Sequence, residues 1–99
     1  MKNKNELGTI TIKDKAIKEI VNIVLKKTKF IRGAKKDFSY IDLTIKNNNI
    51  SLNVDVKIKE GKDILKITSS AQKNIADAIS DFTSAKVNKV QLSVVDFYN

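Results

Sequence analysis

The chain has 99 residues, of which 41% are hydrophobic and 30% charged, a balance that fits one globular domain with its own core. It contains no cysteine and no histidine, which excludes disulfides, thiol nucleophiles and the thiolate or imidazole ligands of common zinc sites. We therefore expect no cofactor, no metal and no enzymatic activity, and a reducing cytoplasm as the compartment.

The net charge of +8 favours attraction to nucleic acid, anionic lipid or an acidic protein. Arginine is the preferred residue for bidentate recognition of phosphates and bases, yet Arg32 is the only arginine in the chain. Six cations, which we call the basic cluster, lie close together in the sequence: Lys26, Lys27, Lys29, Arg32, Lys35 and Lys36. This basic cluster could bind an anion, or it could simply keep a helix end and a loop soluble.

The first part of the chain predicts a flexible tail over residues 1–7 and a single domain over residues 8–99. A short strand is expected at Gly8–Ile12, followed by a helix that Asp14 caps and that ends near Thr28. The apolar stripe of this helix is Ile17, Ile20, Val21, Val24 and Leu25. The segment KFIRGAKK that follows is expected to be a loop, and no run is long enough to predict a membrane span.

Two alternating segments predict a hairpin. The first strand covers about Phe38 to Lys46, with Tyr40 on its outward face, and Asn47–Asn49 form a tight turn. In the second strand one face is entirely apolar, and it comprises Ile50, Leu52, Val54, Val56 and Ile58. The opposite face is polar, and it comprises Ser51, Asn53, Asp55, Lys57 and Lys59.

The last part of the chain predicts a helix and a strand. Asp63 is expected to cap a helix over Ile64–Thr83, and a strand follows over Lys86–Phe97. The complete order is then βαββαβ, with one apolar face on each element. Such a chain predicts an α+β two-layer sandwich with an antiparallel-rich four-stranded sheet, both helices on one face, and a split βαβ arrangement.

The second face of this sheet is expected to stay open to solvent, and it is the candidate partner-binding face. The polar centre of that face would comprise Ser51, Asn53, Asp55 and Lys57, with Tyr40, Val95 and Phe97 toward its margins. Aromatic and aliphatic contact area around a polar row suits a reversible protein interface, including self-association. The alternative is that Tyr40 and Phe97 only cover neighbouring side chains. The strands lack the aromatic pattern that stacks bases, which disfavours nucleic acid as a partner.

The order and spacing of several segments resemble the alkaline shock protein family, also called the envelope stress response family, from Gly8 to Phe97. The matching segments are GTITIKDKAIKEIVNIV near the start, and Asp63, Ile64, Gln72, Phe82, Thr83 and the valines of the last strand. Two positions depart from the family pattern, because Leu65 stands where proline is common and Phe30 where glycine is common.

This resemblance implies a small non-enzymatic cytoplasmic protein of bacteria that serves cell-envelope homeostasis as an adaptor or scaffold. It also implies a protein partner that is anchored in the membrane and recruits the domain to the membrane periphery. The alternative function is a lysine-rich module that binds nucleic acid or an anionic membrane surface.

Overall fold

The computed structural model describes residues 12–99, which form two helices and a four-stranded sheet. In chain order the elements are α1 (Ile12–Lys27), β1 (Ile31–Gly33), a 3-10 turn (Phe38–Tyr40), β2 (Ile41–Lys46), β3 (Asn49–Lys59), α2 (Ile64–Phe82) and β4 (Lys86–Tyr98). The predicted α+β class is confirmed. The predicted tail and most of the predicted first strand lie outside the described residues, and Ile12 already belongs to α1.

Strand β3 lies at the centre of the sheet. β4 pairs in parallel with one edge of β3, from Asn49 opposite Lys86 to Lys59 opposite Tyr98. β1 and β2 lie end to end on the other edge, and both are antiparallel to β3. The antiparallel-rich sheet is therefore confirmed. The split βαβ arrangement is wrong, because β3 and β4 are direct neighbours and α2 supplies the crossover that adjacent parallel strands need.

The β2–β3 hairpin turns through two asparagines, as the sequence predicts. Asn47 and Asn48 have φ angles of 49° and 64°, the left-handed region that asparagine tolerates better than most residues. This turn sets Lys46 opposite Asn49 and therefore Leu43 opposite Leu52. The register places the apolar residues of both strands on one face of the sheet.

Both helices pack on that face. The core is a single cluster that contains the whole apolar row of β3. Helix α1 contributes Ile17, Val21 and Leu25 to it, and helix α2 contributes Ile67, Ala71, Ile75 and Ile79. Helix α2 begins where predicted, since the Asp63 carboxylate accepts the backbone N–H of Lys66 at 3.2 Å. Helix α1 begins earlier than predicted, so Asp14 lies in its first turn.

The edge formed by β1 and β2 differs from the prediction. The segment expected to be a basic loop contains β1, whose Ile31 pairs with Ile58. The Ala34 N–H still donates to the Asp55 carbonyl of β3 at 3.0 Å; the chain then leaves the sheet, and β2 begins only at Ile41. Asp37 caps the 3-10 turn there by accepting the backbone N–H of Ser39. The alternation of the strand therefore does not extend back to Tyr40.

Candidate functional site

The polar row of β3 lies on the open face of the sheet, opposite the core. Asn53 is exposed, while Ser51, Asp55 and Lys57 are half-buried between the neighbouring strands. The Ser93 hydroxyl of β4 donates to the Asn53 Oδ1 at 3.2 Å, which links β3 and β4 across this face. The polar row is therefore a solvated surface whose side chains are positioned mainly by the neighbouring strands of the sheet.

Tyr40 does not belong to this face, and the expectation that it lies there is wrong. Its side chain is only 3% exposed, and its hydroxyl donates to Oδ1 of Asn22 on α1 at 3.0 Å. A Cβ at Gly33 would lie 2.5 Å from the Tyr40 ring, so the ring fills the room that a side chain at position 33 would need. Burial also raises the pKa of Tyr40. Tyr40 is a structural residue that joins α1 to the sheet edge.

Val95 and Phe97 are exposed by 56% and 46%, but Phe97 does not border the polar row. The register of β4 shifts between Val94 and Asp96, so Val95 is the extra residue of a bulge. After this shift Phe97 pairs with the buried Ile58, and the register places it on the helix-bearing face. The strict alternation assumed from sequence fails at the bulge, which moves Phe97 to the opposite face.

The same bulge places Tyr98 on the open face, a residue that the sequence reasoning did not consider. The guanidinium carbon of Arg32 lies 3.7 Å from the centre of the Tyr98 ring. Arg32 pairs with Lys57 across β1 and β3, so this stack crosses the polar side of the sheet. A cation over an aromatic ring is stabilised by the negative face of the ring. Neither the bulge nor this long-range contact has a signal in the sequence.

The basic cluster is divided in space. Lys26, Lys35 and Lys36 line one cleft of about 330 Å³ at the end of α1. Arg32 also borders this cleft. Lys27 and Lys29 line a separate shallow cleft of about 360 Å³ toward α2. The six exposed cations therefore do not all line one cleft, and the Arg32 guanidinium lies over Tyr98.

Five exposed apolar residues mark one end of the domain, which we call the apolar end. They are Phe30, Ile64, Leu65, Val95 and Phe97. The topology brings them together, since β3 and β4 both finish at this end, α2 begins there, and Lys59 at the end of β3 donates its N–H to the Phe30 carbonyl at 3.0 Å. Leu65 is the most exposed of the five, at 78%.

A groove of about 300 Å³ opens beside the apolar end, between the turn after α1 and the first two turns of α2. Its lining residues are Thr28, Lys29, Phe30, Lys62, Asp63, Lys66, Ile67 and Ser70. Phe30 has a φ angle of 70°, a conformation that a bulky residue rarely adopts, and the Lys62 ammonium lies 4.3 Å from the centre of its ring. The groove is therefore lined by two apolar residues, Phe30 and Ile67, and by three lysines.

Across residues 12–99, no three acidic side chains gather in a way that could hold a metal ion. No helix in that part of the chain is long and apolar enough to cross a membrane. Comparison of the chain with protein-family models, with curated proteins and with solved structures finds no match.

Proposed function

We propose that this chain is a non-enzymatic adaptor or scaffold domain that works through protein contacts at the apolar end. The supporting observation is that five large apolar side chains are exposed in segments that meet at the end of the domain where β3 and β4 finish and α2 begins. Contiguous apolar surface on a soluble domain is typical of an interaction site, whereas apolar residues scattered singly are common and carry no such meaning.

The charge around the apolar end also favours a reversible contact. Lys59, Lys62 and Lys66 are exposed beside Ile64 and Leu65, so the free domain keeps a hydrated border around its apolar residues. Interfaces that form and dissociate commonly have an apolar centre and a polar border. The polar row of β3 lies on another face and keeps that side of the sheet hydrated.

The resemblance to the envelope stress response family supplies the cellular part of the proposal. On that basis the domain acts in the bacterial cytoplasm in cell-envelope homeostasis, and a membrane-anchored protein recruits it to the membrane. Absence of thiol and imidazole groups in the sequence is compatible with a role that needs no nucleophile or general base.

The proposal is tested with a double variant at the apolar end, Leu65→Ser with Phe97→Ser. Phe82→Ser is the matched control, because Phe82 is 57% exposed and lies at the opposite end of α2. We expect wild type and control to capture the same partner from cells, and the double variant to lose it while its urea midpoint stays close to that of the control. Sedimentation velocity over a range of concentrations tells whether the partner is a second copy. Equal capture of the partner by all three proteins would reject the apolar end as the binding site.

A second function, binding of phosphate-bearing polyanions, is favoured by the cleft that Lys26, Lys35 and Lys36 share. Such binding should weaken steeply as salt rises, since counterion release drives it. We would measure the affinity for single-stranded RNA and for duplex DNA at low and physiological salt. Changing the three lysines to Gln should remove the binding if the cleft is the site, and absence of binding at physiological salt would reject this function.

A further inference from the structure

We infer that the groove beside Phe30 receives an acidic segment of a partner protein. This segment inserts one large apolar side chain into the groove, and carboxylates of the same segment flank that side chain. This inference rests on the proposed adaptor function and specifies the chemistry of the partner. It depends on the shape of the groove, on its charge and on the conformation of Phe30.

The volume and lining of the groove favour a side chain over a cofactor. At about 300 Å³ the groove is at the lower limit of small-molecule sites, which run from about 300 to 1,000 Å³. Phe30 and Ile67 are the apolar residues that line it, and Thr28 and Ser70 are the two lining residues that carry hydroxyl groups. One aromatic or leucine side chain from a partner could occupy this space.

The charge around the groove selects an acidic partner. Lys29, Lys62 and Lys66 all line the groove, and Asp63 is the one acidic residue among its lining residues. The Asp63 carboxylate already accepts the N–H of Lys66 as the cap of α2. Cations around an apolar site attract carboxylates and disfavour a basic partner, which gives specificity to the contact.

The backbone at Phe30 adds an independent observation. A φ angle of 70° suits glycine and is unfavourable for a bulky side chain, yet a phenyl ring stands there and lines the groove. The ring is partly exposed and contacts the Lys62 ammonium on one side. Phe30→Gly therefore removes the ring at a position whose backbone accepts glycine without strain, and it offers a change in binding with little change in folding.

The test uses the full chain and a labelled synthetic peptide in which one Phe is flanked on both sides by Glu. Two control peptides replace Phe by Ser, or every Glu by Lys. Fluorescence anisotropy should give an affinity for the acidic Phe peptide at least about tenfold higher than for either control, falling as salt rises. Backbone amide shifts in NMR spectra should change at Thr28, Phe30, Lys62 and Ser70.

Three variants locate the interaction. Two of them change the groove: the single variant Phe30→Gly, and the double variant Lys62→Glu with Lys66→Glu. Each should weaken binding of the acidic peptide by about tenfold or more. Lys86→Glu combined with Lys89→Glu, an equal change of charge at two exposed positions of β4 outside the groove, should weaken it far less. Urea midpoints of all variants close to that of wild type would assign the loss to the groove.

Several results would overturn the inference. These are equal binding of acidic and lysine peptides, unchanged binding by Phe30→Gly, amide shifts outside the groove, or no binding of the acidic peptide at about 1 mM. Binding to vesicles with phosphatidylglycerol, without binding to any peptide, would replace the protein partner by an anionic lipid surface. If Leu65→Ser with Phe97→Ser still abolishes capture while charge reversal leaves peptide binding unchanged, the adaptor function stands and the acidic partner is rejected.

Discussion

The two faces of β3 have the same backbone but opposite surroundings. Val54, Val56 and Ile58 are fully buried beneath the helices, whereas Asn53 is exposed and Asp55 and Lys57 are half-buried on the open face. Stability therefore depends mainly on one face, and the other can change with little energetic cost. The exposed residues that we propose for partner binding lie at the apolar end, where β3 and β4 finish and α2 begins.

The largest effect that separates the two faces should come from Leu52→Ala. Leu52 lies in the core between the sheet and the helices, so its truncation removes apolar contacts and leaves a cavity. We expect a loss of about 2–5 kcal/mol in the free energy of unfolding, measured by urea denaturation. A loss below about 1 kcal/mol would mean that the helices do not cover this face tightly.

Gly33→Ala tests whether Tyr40 belongs to the buried side. The new Cβ would lie 2.5 Å from two ring atoms of Tyr40, so the ring would have to move. Overpacking of this kind costs about 1–3 kcal/mol in the free energy of unfolding. In a Tyr40→Ala background the same change should add little, and an equal cost in both backgrounds would contradict the contact.

Tyr40→Phe measures the hydrogen bond and the pH response of the same residue. At neutral pH we expect a loss of about 0.5–1.5 kcal/mol, because Asn22 loses its donor. Burial raises the pKa of Tyr40, so the folded state holds this proton more tightly than the unfolded chain. The stabilising effect of the protonated hydroxyl is complete below the unfolded pKa of about 10 and is lost as pH rises through the higher folded value.

Urea denaturation of wild type and Tyr40→Phe at a series of pH values checks this response. Above about pH 10 wild type should lose stability relative to the variant, since phenylalanine has no proton to release. A difference between the two proteins that stays constant across this alkaline range would contradict the burial of the hydroxyl.

The smallest effect is expected on the open face, from Asn53→Ala. This change removes an exposed hydrogen bond from the Ser93 hydroxyl, and we expect a shift within about 0.5 kcal/mol. Comparison with Leu52→Ala, one position away, then gives the contrast between the faces directly. Comparable losses at the two positions would reject the two-layer arrangement.

The contrast between the faces of β3 could be predicted from sequence because alternation depends only on local backbone geometry. The Asp63 cap and the Asn47–Asn48 turn were predictable for the same reason, since each acts within a few residues. Tyr40 could not be placed, because the chain leaves the sheet just before β2 and alternation gives no indication of that.

Candidate surfaces were harder to predict than the fold because they depend on irregular features and long-range contacts. One extra residue at Val95 moves Phe97 to the helix-bearing side and Tyr98 to the open side. The basic cluster is compact in the sequence, but its lysines line two clefts, one beside β1 and one beside α2, and the lysine-rich segment gave no reason to expect a strand there. The groove joins the turn after α1 to the start of α2, two segments distant in the chain.

The neighbouring strands of β3 also imply an order of folding. β2 reaches β3 through a two-residue turn, whereas β4 pairs with β3 only after the whole of α2 has been crossed. Closing a short loop costs less chain entropy than closing a long one, and local contacts form faster. The β2–β3 hairpin should therefore be present early in the folding transition state, while the docking of α2 and β4 completes the barrier crossing. The Phe30 groove and the apolar end both include the start of α2, so the proposed binding surface would form late, when α2 docks.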